Sequence, residues 1–347
     1  MRGITIKKNE SGAIEFVIVL VLIAFLIGGV FYWRFVKPQT NPTNKSLQKV
    51  TLQLNWLHQT SFAGFYMARE KGFYRDAGLD IEFKEFSEGM DISDELADGK
   101  SNYAITTPLE IISSYEMNKK TVAVAALYQT SPYSFISLKD KAITTPSDLK
   151  GKRLGNAGNN SEAKVLYATL LKNAGIAESD AKVVPVSFDI VSELTSGKVD
   201  IVDTYRIDGT YWLEKSGVPY AQLLPEQFGF DIYGDLLAVG STYANEHKDQ
   251  VKAFVQASLK GWDYALNNQK ETVTVAMNYA VNDYKNEEYL AHILKSSEPL
   301  IRPTANKQIG SMDFIPWNRA YQATKASGKL PNGFDVGQAY TTEYLKK

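Results

Sequence analysis

A ten-residue segment occurs twice in this chain, and no other feature constrains the fold as much. Asp91-Ile92-Ser93-Asp94-Glu95-Leu96-Ala97-Asp98-Gly99-Lys100 is echoed by Asp189-Ile190-Val191-Ser192-Glu193-Leu194-Thr195-Ser196-Gly197-Lys198. Each copy reads as a short helix that stops at a glycine C-cap and feeds a strand. The strand-like runs that follow are Tyr103-Ala104-Ile105 and Val199-Asp200-Ile201-Val202. Two copies far apart do not make a solenoid. They predict two related lobes, each with its own sheet.

The surrounding chain alternates in the same way. Val50 to Leu54 and Leu79 to Phe83 read as strands, with a helix over Gly64 to Lys71 that ends at Gly72. Arg153 to Gly155 reads as a short strand and Glu162 to Ala174 as a helix. Val251 to Leu266 is amphipathic and packs on a sheet, and the remaining C-terminal portion is helical, broken at Pro303, Pro316 and Pro331. The alternation predicts an α/β chain with mostly parallel sheets. Between strand and helix lies Asn156-Ala157-Gly158-Asn159-Asn160-Ser161. This loop either cradles an anionic or polar group at a helix N-terminus or is a simple capped turn. No Gly-Lys-Ser/Thr ends it, so it is not a phosphate-binding loop of that kind.

Phe16 to Trp33 is an uncharged apolar run, about as long as the ~20 residues a helix needs to cross a bilayer. It continues into Phe31-Tyr32-Trp33-Arg34-Phe35 without a small-x-small site, so residues 1–36 are expected to be an uncleaved signal anchor. Basic residues flank the run on both sides and barely decide its orientation. Gly12 before Ala13-Ile14-Glu15 offers a pilin-like processing site as a competing reading. Residues 37–48 read as a polar, proline-containing linker.

Composition removes several classes. The 347 residues contain no cysteine, which excludes disulfides, thiolate nucleophiles, cysteine-ligated metals and a lipoprotein anchor. Three scattered histidines argue against a metal site, and no cofactor is expected. A net charge of -1 gives no field for nucleic acid.

From Asn55-Trp56 onward the chain resembles a known family. The elements are Asn55-Trp56, Ala63-Gly64-Phe65-Tyr66, Glu70-Lys71-Gly72-Phe73-Tyr74 and Ala77-Gly78-Leu79-Asp80, in that order. Leu149-Lys150-Gly151-Lys152 and Gly197-Lys198-Val199-Asp200 extend the match, which spans roughly residues 50 to 330. The segment resembles substrate-binding proteins of ABC importers, in the branch for thiamine pyrimidine precursors, sulfonates and nitrate. The resemblance implies a bilobal type II periplasmic-binding-protein fold behind one transmembrane helix. Lobe one would hold 49–138 and 238–347, lobe two 142–234, with crossings near 135–145 and 230–240 and a ligand cleft closed by a hinge. It further implies a monomer on the outer face of the cell membrane, handing a small molecule to permease and ATPase subunits.

Candidate ligand-binding residues follow the strands. Trp56 offers an indole face to a flat ring or fills a core, and Asn55 offers donor and acceptor or caps a helix. His58 lies in the next loop. Thr106 and Thr107 follow the first repeat's strand, with Glu110 facing either cleft or solvent. Tyr128 follows a further strand, and Asn156 and Ser161 belong to the polar loop. Asp203, Tyr205 and Arg206 follow the second repeat's strand. Arg206 favours a carboxylate, phosphate or sulfonate, whereas Asp203 would serve a cationic or amino-bearing ring. A related eukaryotic branch makes the thiamine pyrimidine with a histidine of its own chain and a cysteine-rich motif. Neither stands at the matching positions here, so a binder is expected rather than an enzyme. The expected solute is a small heteroaromatic or anionic molecule, best a thiamine pyrimidine precursor; sulfonate- or nitrate-type solute binding, a ligand-sensing ectodomain and a pyrimidine-precursor synthase-like enzyme are the alternatives.

Overall fold

Both copies of the repeat fold as the sequence predicts. Asp91 caps helix α3 (Ile92–Ala97) by accepting the backbone N–H groups of Ser93 and Asp94, and Gly99 leaves the helix at φ +67°. Asp189 caps α6 (Ile190–Thr195) through Ser192 N–H, and Gly197 leaves at φ +71°. A left-handed exit suits glycine because it has no Cβ to clash. The first copy feeds β3 (Tyr103–Thr106) and the second feeds β8 (Ile201–Tyr205).

The computed structural model describes residues 46–158, 160–302, 308–328, 330 and 333–346. Leu47–Lys347 forms one compact unit. The apolar run Phe16 to Trp33 lies outside the described residues, and so do Pro303 and Pro331. Among the described residues no helix is long and apolar enough to cross a membrane.

Two five-stranded sheets organise the unit. The first contains β1 (Gln48–Gln53), β2 (Leu79–Lys84), β3, β4 (Thr121–Ala126) and β10 (Leu236–Gly240), in the order β2-β1-β3-β10-β4. The second contains β5 (Tyr133–Leu138), β6 (Arg153–Ala157), β7 (Lys182–Val186), β8 and β9 (Tyr220–Leu223), in the order β7-β6-β8-β5-β9. In each sheet four strands run the same way and the strand in fourth place, β10 in the first and β5 in the second, runs against them. The sheets are therefore mixed, with most of their strands running parallel as expected. The shared order is the structural counterpart of the sequence repeat.

The first crossing lies earlier than expected. Residues 133–138, expected in lobe one, form β5 and pair with β8 and β9 in the second sheet. The chain crosses at 127–132 and returns at 224–235. The strand is buried on both faces, and a segment of that kind carries no local sign of which sheet receives it.

The helices of the first lobe include α1 (Ala63–Glu70), α2 (Phe73–Asp76) and α4 (Pro108–Ser114). In the second lobe α5 (Ser161–Asn173) and α7 (Arg206–Lys215) flank the sheet. After β10 come α8 (Ser241–Glu246), α9 (Lys248–Asn267), α10 (Gln269–Ala276), α11 (Glu287–Ile301) and α12 (Phe314–Ala326). Helix α9 packs against α1, whereas α12 touches both α4 and α5 and so bridges the lobes. Pro316 does not break the chain. It sits in the first turn of α12, where a backbone N–H has no helical partner to lose. Pro299 lies inside α11, near its C-terminal end.

Candidate functional site

The cleft is built at the carboxyl ends of strands from both sheets. Thr106 ends β3, Ala157 ends β6, Tyr205 ends β8, and Asn55 with Trp56 follow β1; all line one cavity of about 600 Å³. Open α/β sheets place ligand sites at such strand ends, where side chains are no longer committed to the sheet. A cavity of this size suits a small molecule.

Aromatic rings face it from both lobes. Trp56 stacks on Phe86 with centroids 5.4 Å apart and planes at 23°. Phe188, from the loop before α6, meets Trp56 edge-on at 4.7 Å. Tyr133, Tyr205, Trp212 and Tyr284 also line the cavity. The indole of Trp212 donates to Asp208 Oδ1 at 3.0 Å, which fixes the ring plane.

Carboxyls make up the polar wall. Glu110 belongs to a capping box in which Thr107 and Glu110 satisfy each other's backbone, and Thr106 Oγ1 donates to Glu110 Oε2 at 2.7 Å. Burial raises Glu110 above the usual carboxylate range, partly offset by those hydrogen bonds. Glu162 stands in the first turn of α5 and is pushed well up, first by burial and then by the neighbouring charge of Glu110. Asp203 accepts from Ala157 N–H at 2.6 Å and from the Tyr133 hydroxyl at 3.1 Å, yet burial holds it at about 6. Asp235 accepts from Asn55 Nδ2 at 3.0 Å and from the Tyr205 hydroxyl at 3.2 Å, and burial holds it at about 7. Asp208 is likewise raised by burial, against hydrogen bonds from Tyr289 and Trp212. Ser61 Oγ is buried in the lining without a hydrogen-bond partner, so it can still donate and accept.

Seven of the residues expected from sequence line this cavity: Asn55, Trp56, Thr106, Thr107, Ser161, Asp203 and Tyr205. Four do not. His58 is held behind the wall, its Nδ1 2.7 Å from the Tyr66 hydroxyl and its backbone N–H donating to Glu85 at 3.0 Å. Burial lowers its pKa. Tyr128 is fully buried and donates to Ser297 Oγ at 2.8 Å, which makes it a core residue of the crossing segment. Asn156 is fully buried and donates to Asn160 C=O at 2.9 Å, so it braces the polar loop from behind. Arg206 turns away and pairs with Glu226. Its side chain is therefore not the anion anchor that its place after β8 suggested.

The polar loop resolves as a capped turn. Asn160 accepts Glu162 N–H at 2.7 Å and so occupies the N-terminus of α5. Sequence reasoning did not single out Glu162, Asp208, Asp235, Trp212, Phe86 or Phe188. Acids in a first helical turn look like ordinary complements of the helix dipole. The two phenylalanines sit in loops, and no local pattern shows that their rings meet Trp56.

Comparison with known proteins adds the family. The NMT1/THI5 like family model matches residues 59–272. The chain belongs to the NMT1/THI5-like family. Among curated relatives, the riboflavin-binding protein RibY of Chloroflexus aurantiacus is 25% identical over 314 residues, covering 89% of this chain and 88% of that protein. The formylaminopyrimidine-binding protein of Halalkalibacterium halodurans is 23% identical over 300 residues, covering 84% and 89%. Among solved structures, the periplasmic aliphatic sulphonate binding protein SsuA of Escherichia coli superposes with a TM-score of 0.66 at 14% identity, covering 86% of this chain and 99% of that one. The bilobal periplasmic-binding-protein fold of this NMT1/THI5-like chain agrees with the resemblance in the sequence.

Proposed function

We propose that this chain is the extracytoplasmic solute-binding component of an importer and that it captures a planar heteroaromatic molecule. The observation that carries the reading is the cleft itself. Strand ends of two lobes converge on one cavity lined by Trp56, Phe86, Phe188 and Trp212, with hydrogen-bonding groups between the rings. Flat faces select a flat ring by stacking, and the polar groups set its orientation. The residues proposed to hold the ligand are Asn55, Trp56, Thr106, Thr107, Ser161, Asp203 and Tyr205, joined by Glu110, Glu162 and Asp235. Binding-protein relatives support capture rather than turnover. Among the described residues no histidine lines the cleft, and the chain has no cysteine, which sets it apart from the pyrimidine-forming enzymes that the family resemblance includes.

In this reading the N-terminal apolar segment tethers the protein to the cell membrane as a single pass, and a permease with its ATPase receives the solute. Closure of the lobes about residues 127–132 and 224–235 would bury it. The test is a thermal-shift screen of the full chain in mild detergent against aminopyrimidines, thiamine, riboflavin, pyridoxal phosphate, alkanesulfonates and nitrate. A native-state ligand at about 100 times its dissociation constant adds about 2.7 kcal/mol and raises the melting temperature. A heteroaromatic compound that shifts Tm and returns chemically unchanged supports the reading. A product formed from it would make the chain an enzyme, and a shift with nitrate alone would move it to a different solute class.

A further inference from the structure

The charge of the cleft carries the reading above one step further, to the class of solute. Among the described residues that line the cavity there is no lysine, arginine or histidine. Five carboxyls from both lobes and the crossing segment do line it: Glu110, Glu162, Asp203, Asp208 and Asp235. A sixth, Asp91, already caps α3 and lies 3.7 Å from Lys119 Nζ. Apart from His292 near Asp208, the groups that face the five are polar and uncharged or acidic. Thr106 and Thr107 face Glu110, and Glu162 faces Glu110 itself. Tyr133 faces Asp203, and Asn55 and Tyr205 face Asp235. Tyr289 and Trp212 face Asp208, whose nearby basic group is His292.

Helix N-termini often attract anions. Here α4 and α5 already have theirs occupied by side chains of the protein, Glu110 on Thr107 N–H at 3.3 Å and Asn160 on Glu162 N–H at 2.7 Å. An anionic solute would meet five acids, three of them buried and two half-buried, with no cationic side chain in the described lining. Aromatic faces flanked by carboxyls are instead the surroundings in which a ring-borne positive charge is most stable, through the ring quadrupoles and through direct ion pairing.

We propose that the solute is a planar cation, an aromatic heterocycle that carries a fixed or proton-borne positive charge and is neutralised between Glu110 and Glu162 under the Trp56–Phe86 pair. This proposal rests on the solute-binding reading. It separates this cleft from any that takes a sulfonate. Burial moves these carboxyls toward the protonated form, and a bound cation favours the ionised form, so binding is expected to release protons.

The experiment is isothermal titration of the full chain in mild detergent at pH 7, in phosphate and in Tris, with three probes. Thiamine carries a permanent aromatic cation, riboflavin is a neutral fused ring system, and methanesulfonate is an anion. The expected result is that thiamine binds at least about tenfold tighter than riboflavin (about 1.4 kcal/mol), that methanesulfonate gives no heat, and that the two buffers report proton release. Glu162→Gln and Glu110→Gln each weaken thiamine at least about fivefold (about 1 kcal/mol), with unchanged far-ultraviolet circular dichroism. Should either variant not fold, the order of the three probes on the unaltered chain carries the test. Riboflavin or methanesulfonate binding more tightly than thiamine would overturn the cation while leaving the solute-binding reading intact. Silence from all three probes counts against both.

Discussion

The hydroxyl of Tyr205 donates to Asp235 Oδ1 at 3.2 Å, joining the end of β8 to the segment that leads back to the first lobe. Asn55 Nδ2 donates to the same oxygen at 3.0 Å, so one carboxyl gathers groups from both lobes. Burial holds Asp235 at about 7, against those two donors. In the unfolded chain its pKa is about 3.9. Between these values the folded state binds the extra proton, so the contribution of this group to stability falls as pH rises. It is undiminished below pH ~4 and lost by pH ~8. Asp235→Asn keeps an acceptor for both donors and removes the buried ion. In scanning calorimetry of the ligand-free chain, its Tm should match the parent's at pH 4 and exceed it at pH 8 by about 3 °C or more. Equal melting temperatures at pH 8 would show that the carboxyl is neutralised in some other way.

In the proposed reading, Trp56 offers the ring on which a bound heterocycle would depend most. It stands at the end of β1, stacks on Phe86 at 5.4 Å, and is only partly buried. Its loss removes a stacking face without opening a deep core. Trp56→Ala should weaken the best ligand from the thermal-shift screen by at least about tenfold (about 1.4 kcal/mol), with a Tm close to the parent's in the absence of ligand. Unchanged affinity would remove Trp56 from the site.

Much of this arrangement was legible in the sequence, for a reason that also explains the failures. Asn55 and Trp56 follow β1, Asp203 and Tyr205 lie in the C-terminal part of β8, and strand ends in α/β folds face the cleft, so recognising the strand was enough. The repeated helix and glycine announced two lobes because local capping needs nothing from elsewhere in the chain. Arg206 and Tyr128 follow strands too, yet one finds Glu226 and the other Ser297. Their partners lie far along the chain or on another element, and no local pattern reveals them. The importance of Glu162 is likewise invisible locally. Its neighbour Glu110 is brought near only when the two lobes face each other.

Phe188 touches the other lobe from an unusual position. It is 51% exposed, yet its ring lies edge-on to Trp56 at 4.7 Å and over Gly158. An aromatic pair of this kind contributes about 0.5–1.5 kcal/mol. Because the pair joins the lobes, that energy weights the closed arrangement more than the fold. Phe188→Ala should therefore raise the dissociation rate of the ligand about 2- to 10-fold in stopped-flow measurements, with little change in the Tm of the empty protein. A large fall in that Tm with unchanged dissociation would make Phe188 a structural residue only.

The family motif Ala63-Gly64-Phe65-Tyr66 has a packing explanation that can be tested away from the cleft. Helices α1 and α9 approach so closely that a Cβ on Gly261 would collide with the Gly64 carbonyl oxygen and stand 2.6 Å from Ala68 Cβ. A Cβ on Gly64 would in turn run into the ring of Trp262, which is fully buried and meets Phe65 edge-on at 5.9 Å. Both glycines are helical, where glycine costs about 1 kcal/mol relative to alanine. Close approach is what outweighs that cost. Gly261→Ala gains the helical preference but forces two backbones apart, and overpacking of this kind costs about 1–3 kcal/mol. The net expectation is destabilisation by up to about 2 kcal/mol in urea unfolding. The double variant with Gly64→Ala should lose less than the sum of the singles, because one separation of the helices relieves both clashes. Full additivity would mean that the two glycines answer separate contacts, and a stabilised Gly261→Ala would show that the helices have room to spare.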